Sequence, residues 1–259
     1  MLTQLRTLYA YREMIRCLVQ RNLRSRYKGS VLGFLWTFAN PLLQLLVYTL
    51  IFSHILRSPI EHYPLFLFTA LIPWLFFSAS LTGGAGCILA EKELVRKIWF
   101  PRAVLPAAYV TGSFVNMLLC MPIVLAASLV AGIRLHPAGL LLLPAVMAAE
   151  FLLALGAALL VSSVTVYVRD LEHILSILSM LWMYMTPVMY DISMIPPKFR
   201  PFLQLNPMTA VIGCYRDIFC SGTLPHPAAL LYAALQGVAV LLLGWCVFER
   251  LQRRFAEVL

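Results

Sequence analysis

The chain has 259 residues, of which 61% are hydrophobic and 12% are charged, against about 45–50% and about 25% in soluble domains. This composition excludes a soluble globular domain, an intrinsically disordered chain, a collagen-like fibre and a disulfide-stapled secreted module. The net charge of +9 would favour a nucleic-acid partner in a soluble protein, but here the basic residues flank apolar segments. We therefore predict an all-α integral membrane protein with one transmembrane domain and no nucleic-acid partner.

Residues 1–29 precede the first apolar run and are strongly basic. They lack the short apolar core and small-residue cleavage site of a signal peptide. Their apolar residues instead approximate one helical face: Leu5, Leu8, Tyr9, Ile15, Leu18, Val19 and Leu23. The pattern predicts an amphipathic helix that lies in the membrane interface.

Six long apolar runs follow: Ser30–Leu56, Pro64–Ala90, Ala103–Ile133, Leu135–Val168, His173–Tyr190 and Ile218–Phe248. A helix needs about 20 mostly apolar residues to cross the hydrocarbon. Because backbone groups in lipid must pair internally, continuous runs of this length indicate helices and not barrel strands. The sequence predicts six transmembrane helices within residues 30–249, followed by a tail over residues 250–259.

The basic residues predict the orientation of these spans. Fifteen of the 20 Lys and Arg residues fall before span one, between spans two and three, between spans four and five, or after span six. Since basic residues are enriched in cytoplasmic loops, both termini are predicted to be cytoplasmic.

Two connections are too long and too patterned to be simple turns. On the cytoplasmic side, Glu91–Pro106 begins with charged residues and becomes amphipathic, which predicts a short helix over about residues 91–102 that faces a cytoplasmic partner. On the outer side, residues 191–217 combine apolar side chains with four prolines. Broken backbone at membrane depth survives only inside protein or beside a wet cavity, so this region is predicted to form re-entrant helices.

Motifs for enzymatic chemistry are missing from the sequence. It contains no GxxxxGK[ST], HExxH or GxSxG motif, no paired carboxylates suited to acid–base catalysis and no metal-ligand spacing. We therefore expect no catalytic residue, no metal and no cofactor on this chain. The glycines of Gly83–Gly86 are interpreted as a close helix contact, and the six cysteines as apolar fillers, with a Cys214–Cys220 bridge left open.

Glu150 is the one acidic residue inside a predicted span. An intramembrane carboxyl is by default a functional hypothesis, and two interpretations stay open. It contributes to proton coupling, or it faces the helix bundle and hydrogen-bonds to a neighbour.

Aromatic residues mark the first and fifth spans: Trp36, Phe38, Tyr48, Trp182, Tyr184 and Tyr190. Trp and Tyr favour the headgroup level, so one interpretation is an interfacial belt. The other is a tunnel lined by rings, which passes sugars by stacking against their faces.

Four segments occur in one order along the chain: RSRYKGSVLGFLWTFANP (Arg24–Pro41), LVRKIWFPRAVLP (Leu94–Pro106), VYVRDL (Val166–Leu171) and NPMTAVIGCYRDIF (Asn206–Phe219). Together they resemble the transmembrane (permease) subunit of ABC-2-type exporters, in the branch that exports O-antigen, teichoic acid and capsular polysaccharide. The similarity extends over nearly the whole chain.

The resemblance implies a bacterial cytoplasmic-membrane protein with defined partners. Two copies of this subunit would assemble with two copies of a separate cytoplasmic ATPase, which would hold ATP and Mg. The segment after span two would be the coupling helix, seated in a groove of the ATPase through Glu91, Leu94, Arg96, Lys97, Trp99, Phe100 and Arg102. The outer region would cap the exit, and spans one and five would line the channel, which makes the six aromatic residues translocation-pathway candidates.

The cargo implied is a polysaccharide on an undecaprenyl diphosphate carrier, and polymer identity is not encoded in these motifs. Arg24, Arg26 and Lys28 are the candidates for contact with the lipid diphosphate; alternatively they enforce topology and touch anionic lipid. Three other functions stay open at this stage: an ABC-2 permease for a drug or another small amphiphile, a proton- or sodium-driven carrier, and a membrane-bound glycosyl- or phosphotransferase.

Overall fold

Long apolar helices dominate the computed structural model, which describes residues 9–27, 32–55 and 59–258, without a β-strand among them. The helices in chain order are α1 Arg12–Tyr27, α2 Trp36–Thr49, α3 Tyr63–Ala90, α4 Lys92–Lys97, α5 Val104–Val130, α6 Pro137–Thr165, α7 Leu171–Met185, α8 Arg200–Leu205, α9 Pro207–Phe219, α10 Pro227–Leu251 and α11 Phe255–Val258. A 3₁₀ turn precedes α2 over Gly33–Leu35, and a π-helical segment, Leu50–Ile55, continues it.

Five helical segments of the described chain are long and apolar enough to cross a membrane: Gly33–Ser53, Tyr63–Ala90, Val104–Val130, Pro137–Thr165 and Pro227–Arg254. An all-helical membrane protein is thus confirmed, and five of the six predicted spans have a counterpart. The predicted fifth span corresponds to α7, which has 15 residues and a length of about 22 Å. That is short of the roughly 30 Å of a hydrocarbon core, so a sixth span is not confirmed.

Proline chemistry explains why α7 stops early. Pro187 follows Thr186, whose backbone is extended at φ −104° and ψ 136°. The residue before a proline is driven out of the helical region by steric contact with the proline ring. The apolar run predicted to continue to Tyr190 therefore leaves the helix at Met185.

The boundary predicted for the last span, Ile218–Phe248, is wrong at its start. Residues 218 and 219 end α9, and α10 begins only at Pro227. Gly222 turns the chain between them with φ +64°, a conformation that favours glycine, and a Cβ there would clash with the Arg134 carbonyl oxygen. An apolar run that looked continuous is two helices joined by a tight turn.

Helix α3 lies at the centre of the bundle and packs against α2, α5, α6, α7 and α9. By contrast, α2 and α7 leave wide apolar faces uncovered. Only Thr37 and Pro41 of α2 are buried, and only Leu175 and Ser179 of α7. Both of these outer helices are held by the same central helix.

Small residues set the closest helix approaches. A Cβ on Gly83 would meet the Tyr109 hydroxyl, and a Cβ on Gly86 would lie 2.9 Å from Oε1 of Glu172. A Cβ on Gly84 would likewise lie 3.0 Å from the Cβ of Ala158. The interpretation of this glycine stretch as a close helix contact is confirmed, since a Cβ at any of the three glycines would lie within 3.0 Å of a side chain on α5, α6 or α7.

One end of the bundle, called the basic end here, joins α1, α4 and the C-terminal helices. Arg21 pairs with Glu91, Arg102 donates to the Gln252 carbonyl, and the Tyr167 hydroxyl donates to the Leu251 carbonyl at 2.8 Å. A separate hydrophobic cluster underlies these contacts and includes Leu18, Val19, Val95, Phe100, Val104, Phe248 and Phe255. The segments predicted to share the cytoplasmic side therefore lie together at one end.

Substitution of Gly244 by Ala should destabilise the bundle, because a Cβ there would come within 2.0 Å of the Gly156 carbonyl oxygen of α6. Overpacking of this kind costs about 1–3 kcal/mol. Gly213→Ala is the matched control, since a Cβ at Gly213 meets no atom within 4 Å and alanine favours the helix. Thermal unfolding of the detergent-solubilised chain should show a lower midpoint for the first variant only. Equal midpoints would contradict the packing argument.

Candidate translocation site

The predicted coupling segment is a shorter helix than expected. Helix α4 ends at Lys97, and Ile98 is extended at φ −127° and ψ 137°. Pro101 then follows Phe100, and the restriction before a proline prevents the helix from resuming. The predicted range of about 91–102 is therefore half helix and half extended chain.

The seven predicted coupling residues divide into two groups. Arg96, Lys97 and Trp99 are exposed, and Trp99 reaches 86%; Leu94 is half-buried beside them. An indole this exposed at the end of a bundle is typical of an interaction surface.

The other three predicted coupling residues are engaged within the chain. Phe100 is buried in the basic-end cluster. Glu91 accepts from Arg21, and Arg102 reaches the Gln252 carbonyl while its guanidinium lies 5.8 Å from the Phe255 ring centre. These three residues hold the exposed segment against α1 and the C-terminal helices.

A cleft of about 790 Å³ lies beside the exposed segment. Its wall combines the segment with the end of α10 and consists of Val95, Arg96, Lys97, Ile98, Trp99, Phe100, Pro101, Arg102, Glu249, Gln252 and Arg253. Four basic side chains against one acidic one make the cleft electropositive, which favours an acidic partner.

The six predicted pathway aromatics do not form one wall. Trp182 is half-buried and serves the core: its ring meets Phe77 edge-on at 5.1 Å, and its indole N–H donates to Oδ1 of Asn206 at 3.0 Å. Phe38 is also half-buried and packs against Phe34 at 5.5 Å. For these two residues the structure shows a packing role.

Two of the other four aromatics are exposed: Trp36 is 36% and Tyr184 is 53% exposed. Tyr48 is half-buried on α2 and packs against the core. The Tyr190 hydroxyl donates to the Tyr184 carbonyl at 2.9 Å, so these two tyrosines lie beside each other.

At the end opposite to the basic end, Asn206 organises a polar network. Its Oδ1 accepts from the Met208 backbone N–H at 3.1 Å and so caps α9. Its Nδ2 donates to the Thr186 hydroxyl at 2.8 Å, and the same Oδ1 holds the Trp182 indole. Sequence reasoning quoted this residue only inside a motif; the Asn-Pro pair that begins α9 is a recognisable cap signal.

Arg216 is the second organiser that sequence reasoning missed. Its guanidinium lies 3.5 Å from the centre of the Phe66 ring, and Nη2 donates to the Val188 carbonyl at 2.9 Å. The Tyr63 hydroxyl donates to the Met189 carbonyl beside it at 3.0 Å. A lone arginine in an apolar motif was the signal, since buried arginines need carbonyls or rings as partners.

Charge at this end is balanced near the 3₁₀ turn Ile192–Met194. Burial of the Asp191 carboxyl opposes its ionisation, but the hydrogen bonds from Ser193 and the Arg216 and Arg200 charges outweigh it and hold its pKa below the usual value. The pKa of Asp217 is raised instead, because burial exceeds the effect of the hydrogen bond from the His226 backbone.

Glu150 faces the bundle and is completely buried on α6. Its Oε2 accepts from the Tyr215 hydroxyl of α9 at 2.7 Å, while Oε1 has no hydrogen-bond partner within the described part of the chain. The interpretation that it bonds to a neighbour is confirmed. The pair ties the opposite-end helix α9 to a membrane span.

The candidate lipid-diphosphate residues lie at the edge of the described chain. Arg24 is exposed on the last part of α1. Arg26 is on the same helix, but its side chain falls outside the described residues, as does all of Lys28.

The described residues contain neither a disulfide nor a cluster of metal ligands. All six cysteines are free, so the Cys214–Cys220 alternative is not supported. No group of three or more His, Cys, Asp and Glu residues in the described ranges could hold a metal ion.

A helical membrane bundle with an exposed electropositive surface at one end agrees with the sequence comparisons. The ABC-2 type transporter family matches residues 13–220, and the chain belongs to this family.

Individual relatives are similar over nearly their whole length. The chain is 38% identical to the O-antigen export system permease protein RfbA of Myxococcus xanthus over 259 residues, 99% of each chain. It is 33% identical to the protein of the same name from Klebsiella pneumoniae, over 95% of each chain. It is 24% identical to the polysialic acid transport protein KpsM of Escherichia coli, over 91% of this chain and 92% of that protein.

Substitution of Asn206 by Ala should destabilise the end of the bundle that contains the cap. The change removes the N-cap and leaves the Trp182 indole N–H without its acceptor, at a combined cost of about 2 kcal/mol or more. Asn206→Asp is the comparison variant, because it keeps the oxygen that accepts from Trp182 and Met208 and loses only the donation from Nδ2 to the Thr186 hydroxyl. Thermal unfolding followed by tryptophan fluorescence should show a larger shift for the alanine variant. Equal shifts would contradict the network.

Proposed function

We propose that this chain is the permease subunit of an exporter that moves an O-antigen-type polysaccharide across the bacterial cytoplasmic membrane. The observation that carries the proposal is similarity over 99% of both chains to an O-antigen export permease. The apolar helices that match the predicted spans support a membrane-spanning role.

The poorly covered helices support a pathway between two copies of the chain. The faces of α2 and α7 expose large apolar side chains: Leu43, Leu46, Val47, Ile177, Met180, Leu181 and Tyr184. Lipid covers apolar surface well, but phenol hydroxyls such as those of Tyr48 and Tyr184 are stabilised by hydrogen bonds to water in a hydrated space. Two copies that face each other through these helices would enclose a conduit lined by these rings.

The energy source would be a separate cytoplasmic ATPase that carries ATP and Mg. The sequence of this chain has no phosphate-binding loop. The exposed basic segment that follows α4 and includes Trp99 offers a contact surface for such a subunit. The anchoring of this segment to α1 and α10 through Glu91 and Arg102 supports transmission of force. Closure of the two ATPase subunits would push on the coupling segment of each permease copy and so separate the two copies.

The polymer would travel on an undecaprenyl diphosphate carrier. A diphosphate at the cytoplasmic leaflet needs positive charge, and Arg24, Arg26 and Lys28 provide it just before the first span. The exposure of Arg24 supports access for a lipid headgroup.

Reversal of charge at Arg96 and Lys97 to Glu should uncouple ATP hydrolysis from export or prevent assembly with the ATPase. Both residues are exposed on the electropositive cleft, where opposite charge would repel an acidic partner. Lys198→Glu, an exposed basic residue at the opposite end, is the control. Co-purification with the ATPase and substrate-stimulated hydrolysis are the measurements. Intact stimulation in the double variant would count against the coupling surface.

Replacement of Arg24, Arg26 and Lys28 by Gln should reduce export if these residues hold the carrier diphosphate. Loss of charge-assisted contacts to phosphate is expected to reduce throughput by about tenfold or more. Membrane insertion and assembly are measured in parallel, because the same residues contribute to topology. Arg12→Gln, an exposed residue at the start of α1, is the control. Normal throughput in the triple variant would remove the carrier-binding role.

A further inference from the structure

A cavity of about 650 Å³ lies between α2, α3 and α5, and its wall combines polar and apolar side chains. Its walls are built from Trp36, Thr37, Asn40, Pro41, Gln44, Ile72, Leu75, Phe76, Ala79, Ser113, Asn116, Met117 and Cys120. The volume is in the range of small-molecule sites in proteins. All three helices are membrane-span candidates, so the cavity lies at membrane depth.

Uncharged polar groups from two helices converge on this cavity. Asn40 and Gln44 come from α2, and Ser113 and Asn116 from α5. Ser113 is 3% exposed, and its Oγ has no hydrogen-bond partner among the residues described, which is also true of the Asn116 Oδ1 atom. Unpaired polar atoms are unfavourable in a region without bulk water. A ligand with hydroxyl groups would satisfy them.

The chemistry of the wall selects among ligands. Among the residues that the structure describes, no side chain of this wall is charged, so phosphate and carboxylate groups would find no counter-ion there. Side-chain amides both donate and accept, which matches sugar hydroxyls. The Trp36 ring, which is 36% exposed, supplies an apolar face of the kind on which a sugar ring stacks.

We propose that this cavity, the α2–α3–α5 pocket, binds uncharged sugar units of the exported polymer. The proposal rests on the proposed function and goes beyond it by naming the class of sugar and the residues that contact it. Asn40, Gln44 and Asn116 bind hydroxyls, and Trp36 stacks against a ring face. The polymer that fits is one with neutral units, in contrast to a chain with a carboxylate or phosphate on every unit.

The first test removes the amides without changing the fold. A Gln44→Leu/Asn116→Leu double variant is expressed with the ATPase in cells that make the cognate polysaccharide. Surface polysaccharide should fall about tenfold or more, the effect of one to two lost hydrogen bonds, while co-purification with the ATPase and thermal stability are retained. Gln20→Leu, an exposed amide on α1, should export normally. A defective double variant that also fails to assemble is replaced by the Gln44→Leu single variant in the same assay.

The outcomes distinguish a failure of the pocket proposal from a failure of the proposed export function. If the unmodified chain exports no polysaccharide, the proposed function itself fails, and the pocket proposal fails with it. If the unmodified chain exports and the amide variant exports equally well, only the pocket proposal is overturned.

The second test measures occupancy directly on the full complex. An Asn40→Cys variant is treated with a maleimide, and modification at residue 40 is read by peptide mass spectrometry, because Cys17 and Cys246 are exposed and also react. Leu118→Cys is the control, since Leu118 is exposed on α5 but belongs neither to the pocket wall nor to the α2 and α7 faces. The probes are the lipid-linked polysaccharide and the same chain released from its lipid.

Both probes should protect residue 40 at least severalfold and leave residue 118 reactive. Polysialic acid, which has a carboxylate on each unit, should not protect residue 40. Protection by the lipid-linked form alone would assign the cavity to the carrier and overturn the proposal. Equal protection by polysialic acid, or no protection by either probe, would overturn it as well.

Discussion

The absence of water as a hydrogen-bond partner inside a membrane is the constraint on which this structure depends. It makes every span a helix, and it makes an unpaired polar group costly at membrane depth. Asn206 caps α9 and binds the Trp182 indole, Arg216 reaches a backbone carbonyl and an aromatic face, and Glu150 binds the Tyr215 hydroxyl. Several buried polar atoms of the described chain nevertheless stay unpaired, Glu150 Oε1 among them, and two of these atoms, Ser113 Oγ and Asn116 Oδ1, line one cavity. Polar groups at membrane depth mark functional sites in membrane proteins.

The architecture separates three tasks. The central helix α3 holds α2, α5, α6, α7 and α9, and so provides a rigid frame. At the basic end, the exposed charges and Trp99 lie on a short segment. Phe100 and Arg102 anchor this segment to the rest of the bundle. The opposite end is closed by short helices and a polar network. The poorly covered faces of α2 and α7 then remain for contact with lipid or with another copy of the chain.

The sequence predicted part of the candidate site. Which residues it predicted correctly depends on the chemistry of their side chains. Exposure of Arg96, Lys97 and Trp99 agreed with a segment that combines charge and aromatic residues next to a proline. The pathway aromatics were harder, because a ring is equally suited to core packing and to a lumen. Trp182 packs in the core, whereas Tyr184 is exposed, although both lie on one short apolar helix. Only the partners supplied by α3 and α9 separate the two cases.

By itself, the sequence determined the class of protein, the number of long apolar helices to within one, and the grouping of the basic segments at one end. These features follow from the sequence because moving charges or unpaired backbone groups into hydrocarbon is too costly for any other arrangement of the chain. The tertiary structure decided where helices break and which polar residues meet. Thr186 and Gly222 end or turn helices inside runs that are uniformly apolar. Asn40 and Asn116 are 76 positions apart and share a cavity only because α2 and α5 pack beside α3. Hydropathy averages over a segment, whereas these features depend on single dihedral angles and on contacts between distant residues.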